Sequence, residues 1–115
     1  MKKIALVAFN GEVMCFVHVL LNALDMNEKG YDVKLVVEGA AVKVVNELNN
    51  DSHPFSKMYR EVCEKGLIDC VCQACAAKLG ALDGVKEQGL PLNNEMLGHP
   101  SLASFMEAGY EIITF

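Results

Sequence analysis

The sequence predicts an α/β fold, built on a parallel sheet with helices on both faces. Three observations carry this. Segments of strand character alternate with segments of helical spacing along the chain. The strand-like segments are apolar on successive residues, as strands buried on both faces are. The chain has 115 residues, enough for one core and too few for two. Residues 1–115 therefore read as a single domain, with no internal repeat, linker or low-complexity tract.

Lys3–Phe9 is the first strand, broken by Asn10-Gly11-Glu12. Val13 to about Lys29 is long enough only for a helix, stopped by Gly30. Its stretch Val13–Leu21 is apolar nearly all round, with His18 the exception, so more than one side should be covered. Asp32–Glu38 is a second buried strand, closed by Gly39. Ala40–Asn49 has helical spacing and ends in the turn cluster Asn49–Ser52. Pro54 suits a first helical turn with Ser52 as its cap, in a helix running to about Lys65 and Gly66. Leu67–Cys72 is the third strand, and Gln73–Leu79 a helix ended by Gly80. Ala81–Gln88 is a weaker helix, and Gly89–Gly98 is irregular with a short strand near Leu90–Leu92. Pro100–Ala108 is a helix bounded by Pro and Gly109, and Tyr110–Phe115 closes the chain as a strand.

Lys and Arg number 10 against 15 Asp and Glu, a formal charge of −5. Gripping a nucleic-acid backbone needs clustered Lys and Arg, so no nucleic-acid partner is expected. Apolar residues make up 52% of the chain, which excludes intrinsic disorder. So rich a small domain, with so apolar a helix at Val13–Leu24, points to burial between copies and hence to a homo-oligomer. The run after Lys2-Lys3 breaks at Asn10 before any cleavage signal, and no window reaches the ~18 apolar residues of a membrane span. The five cysteines are odd in number, with Cys70, Cys72 and Cys75 inside six residues. That is not a secreted disulfide framework, so a cytoplasmic protein with reduced thiols and no membrane association is expected.

In an open parallel sheet, ligands bind beyond the carboxyl ends of the strands. Those ends deliver Asn10, Gly11 and Glu12, then Glu38, then Asp69–Cys72, with His99 in the loop before the last helix. Cys72 stands at a strand-to-helix junction, where free backbone N–H groups and the helix dipole favour a thiolate. Cys75 is three residues on and shares its helix face. Cys70 is two residues back and shares its strand face, so all three thiols are expected close together. Cys15 and Cys63 read as small hydrophobes in packing. His18 reads as a core or interface histidine, His53 as solvated, and Met96 and Met106 as packing residues. Glu12 and Glu38 suit helix caps or lysine partners. Structural zinc usually takes two separated ligand pairs, and only one Cys-x-x-Cys pair exists, so neither metal nor other cofactor is expected. Gly11 stands alone after the first strand, which excludes dinucleotide and P-loop signatures.

The segment Cys72-Gln-Ala-Cys-Ala-Ala-Lys-Leu-Gly80 resembles the cysteine helix of the DsrE/DsrF-like proteins, which include TusD-type sulfur-relay subunits. There a cysteine opens an alanine-rich helix that ends in a basic residue and glycine; here Cys72 takes that place, followed by Ala74, Ala76, Ala77, Lys78 and Gly80. Lys3–Phe9 with its apolar helix, and Gly98–Gly109 with Tyr110–Phe115, resemble the family's opening and closing. The resemblance implies a three-layer α/β/α sandwich with a mostly parallel sheet of about five strands. It implies homo-oligomers, often trimers or hexamers, and a cysteine that accepts persulfide sulfur from a donor protein and passes it to an acceptor protein. Cys72 would be that residue, kept charged by Lys78 and the helix start. Cys75 and Cys70 are additions to the simple relay pattern, suited to resolving a persulfide as a disulfide or to holding a metal. A redox- or metal-responsive thiol module is the alternative reading. Cys72 and Cys75 are thus the reactive candidates, with Cys70, His99, Glu38 and Asn10 in support.

Overall fold

The computed structural model describes all 115 residues. Five strands form one sheet in the order β4-β3-β2-β1-β5, every pair parallel. They are β1 (Lys3–Ala8), β2 (Asp32–Val37), β3 (Ile68–Cys72), β4 (Leu92–Asn93) and β5 (Glu111–Thr114). The helices are α1 (Val13–Glu28), α2 (Val44–Leu48), α3 (Ser56–Glu64), α4 (Gln73–Lys78), α5 (Leu82–Glu87) and α6 (Leu102–Glu107). The predicted helix over Ala40–Asn49 is a 3-10 turn at Gly39–Lys43 running into α2. The helix expected from Pro54 begins at Ser56 instead, because His53–Phe55 is held in a turn by the Phe55 N–H donating to the His53 ring. Ser52 caps nothing: its backbone N–H and hydroxyl both donate to Asn50 Oδ1.

The strand order decides where the helices lie. From β1 to β4 the chain steps always toward the same edge; from β4 to β5 it returns past β1 to the other edge. Parallel crossovers are right-handed, so reversing the direction of travel moves the connecting helix to the opposite face. The packing follows. Ile4, Leu6, Val33, Leu35 and Val37 meet Phe16, Val19, Leu20, Val45, Tyr59, Val62, Ala76 and Val85 in the main core. On the other face, Ala5, Val7, Val36 and Cys70 meet Phe105 of α6 and Tyr110. The sandwich is three-layered but lopsided, with five helices against one.

One polar strut crosses the main core. The Tyr59 hydroxyl, fully buried, donates to Gln88 Oε1, and Gln88 Nε2 donates to the Val45 carbonyl and Asn46 Oδ1. Asn46 in turn donates to the carbonyl of Ala81, so α2, α3 and α5 are tied with every member satisfied.

The inner face of α1 enters the core through Phe16, Val19, Leu20 and Ala23, while Met14, His18 and Leu21 stand exposed. His18 is therefore not a core histidine. No helix is long and apolar enough to cross a membrane. Leu35, fully buried on the middle strand, tests the packing. Leu35→Ala should cost about 2–5 kcal/mol, read as a lower urea midpoint at unchanged slope; a loss under about 1 kcal/mol would contradict a close-packed sheet face.

Candidate functional site

The parallel sheet places all carboxyl ends along one rim, and the thiols gather where β3 ends. Cys72 is at once the last residue of β3 and the N-cap of α4, with φ −61° and ψ 116°. Its sulfur takes the capping role usually held by a hydroxyl or carboxylate, accepting from the Cys75 backbone N–H at 3.4 Å. His99 Nδ1 lies 3.1 Å from Cys72 Sγ and 3.8 Å from Cys75 Sγ. The Gly98 carbonyl lies 3.7 Å from Cys72 Sγ. The two sulfurs and the ring nitrogen all fall within 4.8 Å of one another.

Cys72 is not the accessible thiolate that the sequence suggests: it is 0% exposed. Burial pushes its thiol up to about 11; the Cys75 N–H works the other way, and the Cys75 thiol and Glu38 add to the rise. Desolvation outweighs the amide because a short helix offers only that one bond to a sulfur sealed from water. Lys78 does not help, standing exposed at the far end of α4. The Cys72 thiol thus has two polar neighbours within reach, the Gly98 carbonyl and the His99 ring nitrogen Nδ1. Cys75 and His99 are half-buried, so the face open to solvent is theirs.

The seal is the loop after β4. The Ala74 N–H donates to the Gly98 carbonyl at 2.9 Å. Met96 and His99 exchange both backbone hydrogen bonds, at 2.7 and 3.0 Å, around a two-residue turn of Leu97 and Gly98. Both central residues are left-handed, φ +50° and +96°, a turn that suits Asn-Gly and strains leucine. Leu97 is 96% exposed. Met96 and Met106 are exposed as well, not packed as expected. A Cβ on Gly98 would stand 2.9 Å from the Cβ of Ala74, so the loop closes this tightly only with glycine.

Of the supporting candidates, His99 and Glu38 join the site, and Asn10 and Cys70 do not. The Glu38 carboxyl is buried at the end of β2; burial raises its pKa and the charge of His99 opposes the rise. It neither caps a helix through its side chain nor pairs with a lysine, and the exposed Glu12 gives α1 no side-chain cap. Asn10 is exposed and folds its own loop, accepting from the Glu12 N–H at 2.8 Å. Cys70 lies away from the pair, in the core layer under α6. What separates it from Cys72 is that Cys72 leaves the strand as α4 begins; the β2–β3 register shift lies before Cys70, Leu35 facing Ile68 but Val36 facing Cys70. Burial, with Asp69, pushes the Cys70 thiol up to about 12. Gly98, the residue that seals the site, carries no chemistry in its side chain; its only sequence signal is a glycine immediately before the rim histidine.

Two outcomes follow. The thiols of Cys72, Cys70 and Cys63 all titrate above their ordinary value of 9 in the folded chain. Folded stability from these groups is full below pH 9 and falls as pH rises from there through 11 and 12, since the unfolded chain ionises first. Urea melts from pH 8 to 11 should show the decline; a flat profile would contradict it. Gly98→Ala should lift the loop and speed alkylation of Cys72 by iodoacetamide at least about tenfold, since exposure governs thiol reactivity alongside pKa. An unchanged rate would mean the loop is not the seal.

The profile of the DsrE/DsrF-like family matches residues 5–115. An uncharacterized protein of Methanocaldococcus jannaschii is 35% identical over 96 residues, 84% of this chain and 76% of its own. An uncharacterized protein of Archaeoglobus fulgidus is 42% identical over 43 residues, 37% of this chain and 70% of its own. The structure of a conserved protein of unknown function from Bacteroides thetaiotaomicron superposes with a TM-score of 0.75 at 19% identity, covering 99% of this chain and 95% of that one; at that identity the likeness is one of fold. Five parallel strands, a cysteine at the β3–α4 junction and a match from residue 5 to the last residue agree: the chain belongs to the DsrE/DsrF-like family.

Proposed function

We propose that this chain is a persulfide sulfur carrier in which Cys75 loads the sulfur and Cys72 holds it. The observation that carries the reading is the imidazole shared by two thiols, one half-open to solvent and one sealed. His99 takes the Cys75 proton, and the Cys75 thiolate attacks the outer sulfur of a donor persulfide. The donor S–S bond breaks, the donor thiolate takes the proton from His99 and leaves as a thiol, and a persulfide forms on Cys75. Cys72, once its proton passes to the freed imidazole, attacks the same outer sulfur; the new S–S bond forms on Cys72, and the departing Cys75 thiolate takes that proton from His99 and returns to the thiol. An acceptor thiol later removes that sulfur in the same way, so each step exchanges one S–S bond for another. Family membership supports sulfur relay as the class of activity, and the resemblance of the Cys72–Gly80 segment supports Cys72 as the residue that carries the sulfur. Donor and acceptor are proteins in this reading, and copies of the chain associate through the exposed Met14 and Leu21 of α1.

Mass spectrometry after exposure to a persulfide donor decides it. Wild type should gain one sulfur atom per chain. Cys75→Ser should gain none in the same time, and Cys72→Ser should load but lose its sulfur to added thiol faster than wild type. Loading of Cys75→Ser at the wild-type rate, or no loading of wild type, would refute the reading.

A further inference from the structure

We infer that Cys72, Cys75 and His99 form a binding site for a zinc-type divalent ion, with three protein donors and one open position. A Cys-x-x-Cys pair alone is half a site, and the sequence holds no second pair. The fold supplies the third donor from 24 residues downstream of Cys75, by laying the Gly98–His99 turn across α4.

The geometry fits. With Zn–S near 2.3 Å and Zn–N near 2.0–2.1 Å, tetrahedral coordination sets S···N edges of about 3.5 Å and S···S edges of about 3.8 Å. The two S···N separations here are 3.1 and 3.8 Å, one on each side of that value, and all three donor atoms lie within 4.8 Å. Small side-chain rotations suffice to centre an ion among them. Two sulfurs and an imidazole select zinc or its neighbours over magnesium or calcium, which take oxygen. The backbone frame is already fixed: Ala74 N–H to Gly98 carbonyl, Met96 to His99 in both directions, and Cys75 N–H to Cys72 Sγ. Cys75 and His99 are half-buried, so the fourth position faces solvent, where water or an external thiol completes the shell. On binding, two thiol protons leave for solvent and two metal–sulfur bonds form; nothing is oxidised or reduced. The inference stands apart from the sulfur-carrier reading, because it needs no persulfide.

Titration of the reduced full-length chain tests it. One equivalent of Co²⁺ should produce a sulfur-to-cobalt charge-transfer band and the visible absorption of a tetrahedral ion. One equivalent of Zn²⁺ should displace the cobalt, release two protons in weak buffer and protect Cys75 from iodoacetamide. His99→Ala should weaken affinity about tenfold or more, Cys75→Ser should abolish the charge-transfer signal, and Cys63→Ser should change nothing. Absence of the band in wild type, or a band unaltered by His99→Ala and Cys75→Ser, would overturn the assignment. Persulfide loading without metal binding defeats this inference alone; metal binding without loading defeats only the sulfur reading.

Discussion

One sulfur atom has to end a strand, cap a helix and stay dry. Cys72 is the meeting point of β3 and α4, and its Sγ answers the Cys75 N–H that would otherwise be left without a partner at the helix start. Serine would cap as well but would not bring a soft nucleophile to the rim. Because the cap is a thiol with no exposed surface, everything around it is arranged by what a buried sulfur needs: a ring nitrogen, a carbonyl and a covering turn. Burial then decides the electrostatics. The dipole of a six-residue helix and a single amide bond do not overcome desolvation, so the sealed thiol is held neutral beside its imidazole.

The sheet supplies the platform. Carboxyl ends share one rim because all pairs are parallel, and the reversal between β4 and β5 leaves only α6 on the second face. That asymmetry separates the cysteines. Cys70 belongs to the thin layer beneath Phe105, while Cys72 belongs to the thick one, so two thiols two residues apart sit in different surroundings.

Most of the architecture was legible in the sequence. Apolar runs bounded by glycine marked β1, β2 and β3, and Pro100 with Gly109 bracketed α6 to within two residues. The rim grouping of Cys72, Cys75, His99 and Glu38 was legible too, since it follows from parallel topology. Exposure was not. Whether the sulfur of Cys72 meets water depends on a turn 25 residues later, and no local periodicity reports a tertiary contact of that kind. Cys70 misled for a related reason: strand alternation holds only while the strand continues, and Cys72 already turns into α4.

The cover over Cys72 is also the least comfortable stretch of backbone in the chain, with a leucine in the left-handed region at its tip. Such a residue costs about 1–2 kcal/mol relative to one at ease there, which multiplies the population of any lifted conformation by about fivefold or more. A side chain that gains nothing from packing, on a hairpin that gains by relaxing, makes the sheltered thiol intermittently reachable without a dedicated hinge. Access is thereby metered by local backbone discomfort, which a single residue at position 97 can retune while the cysteines stay as they are.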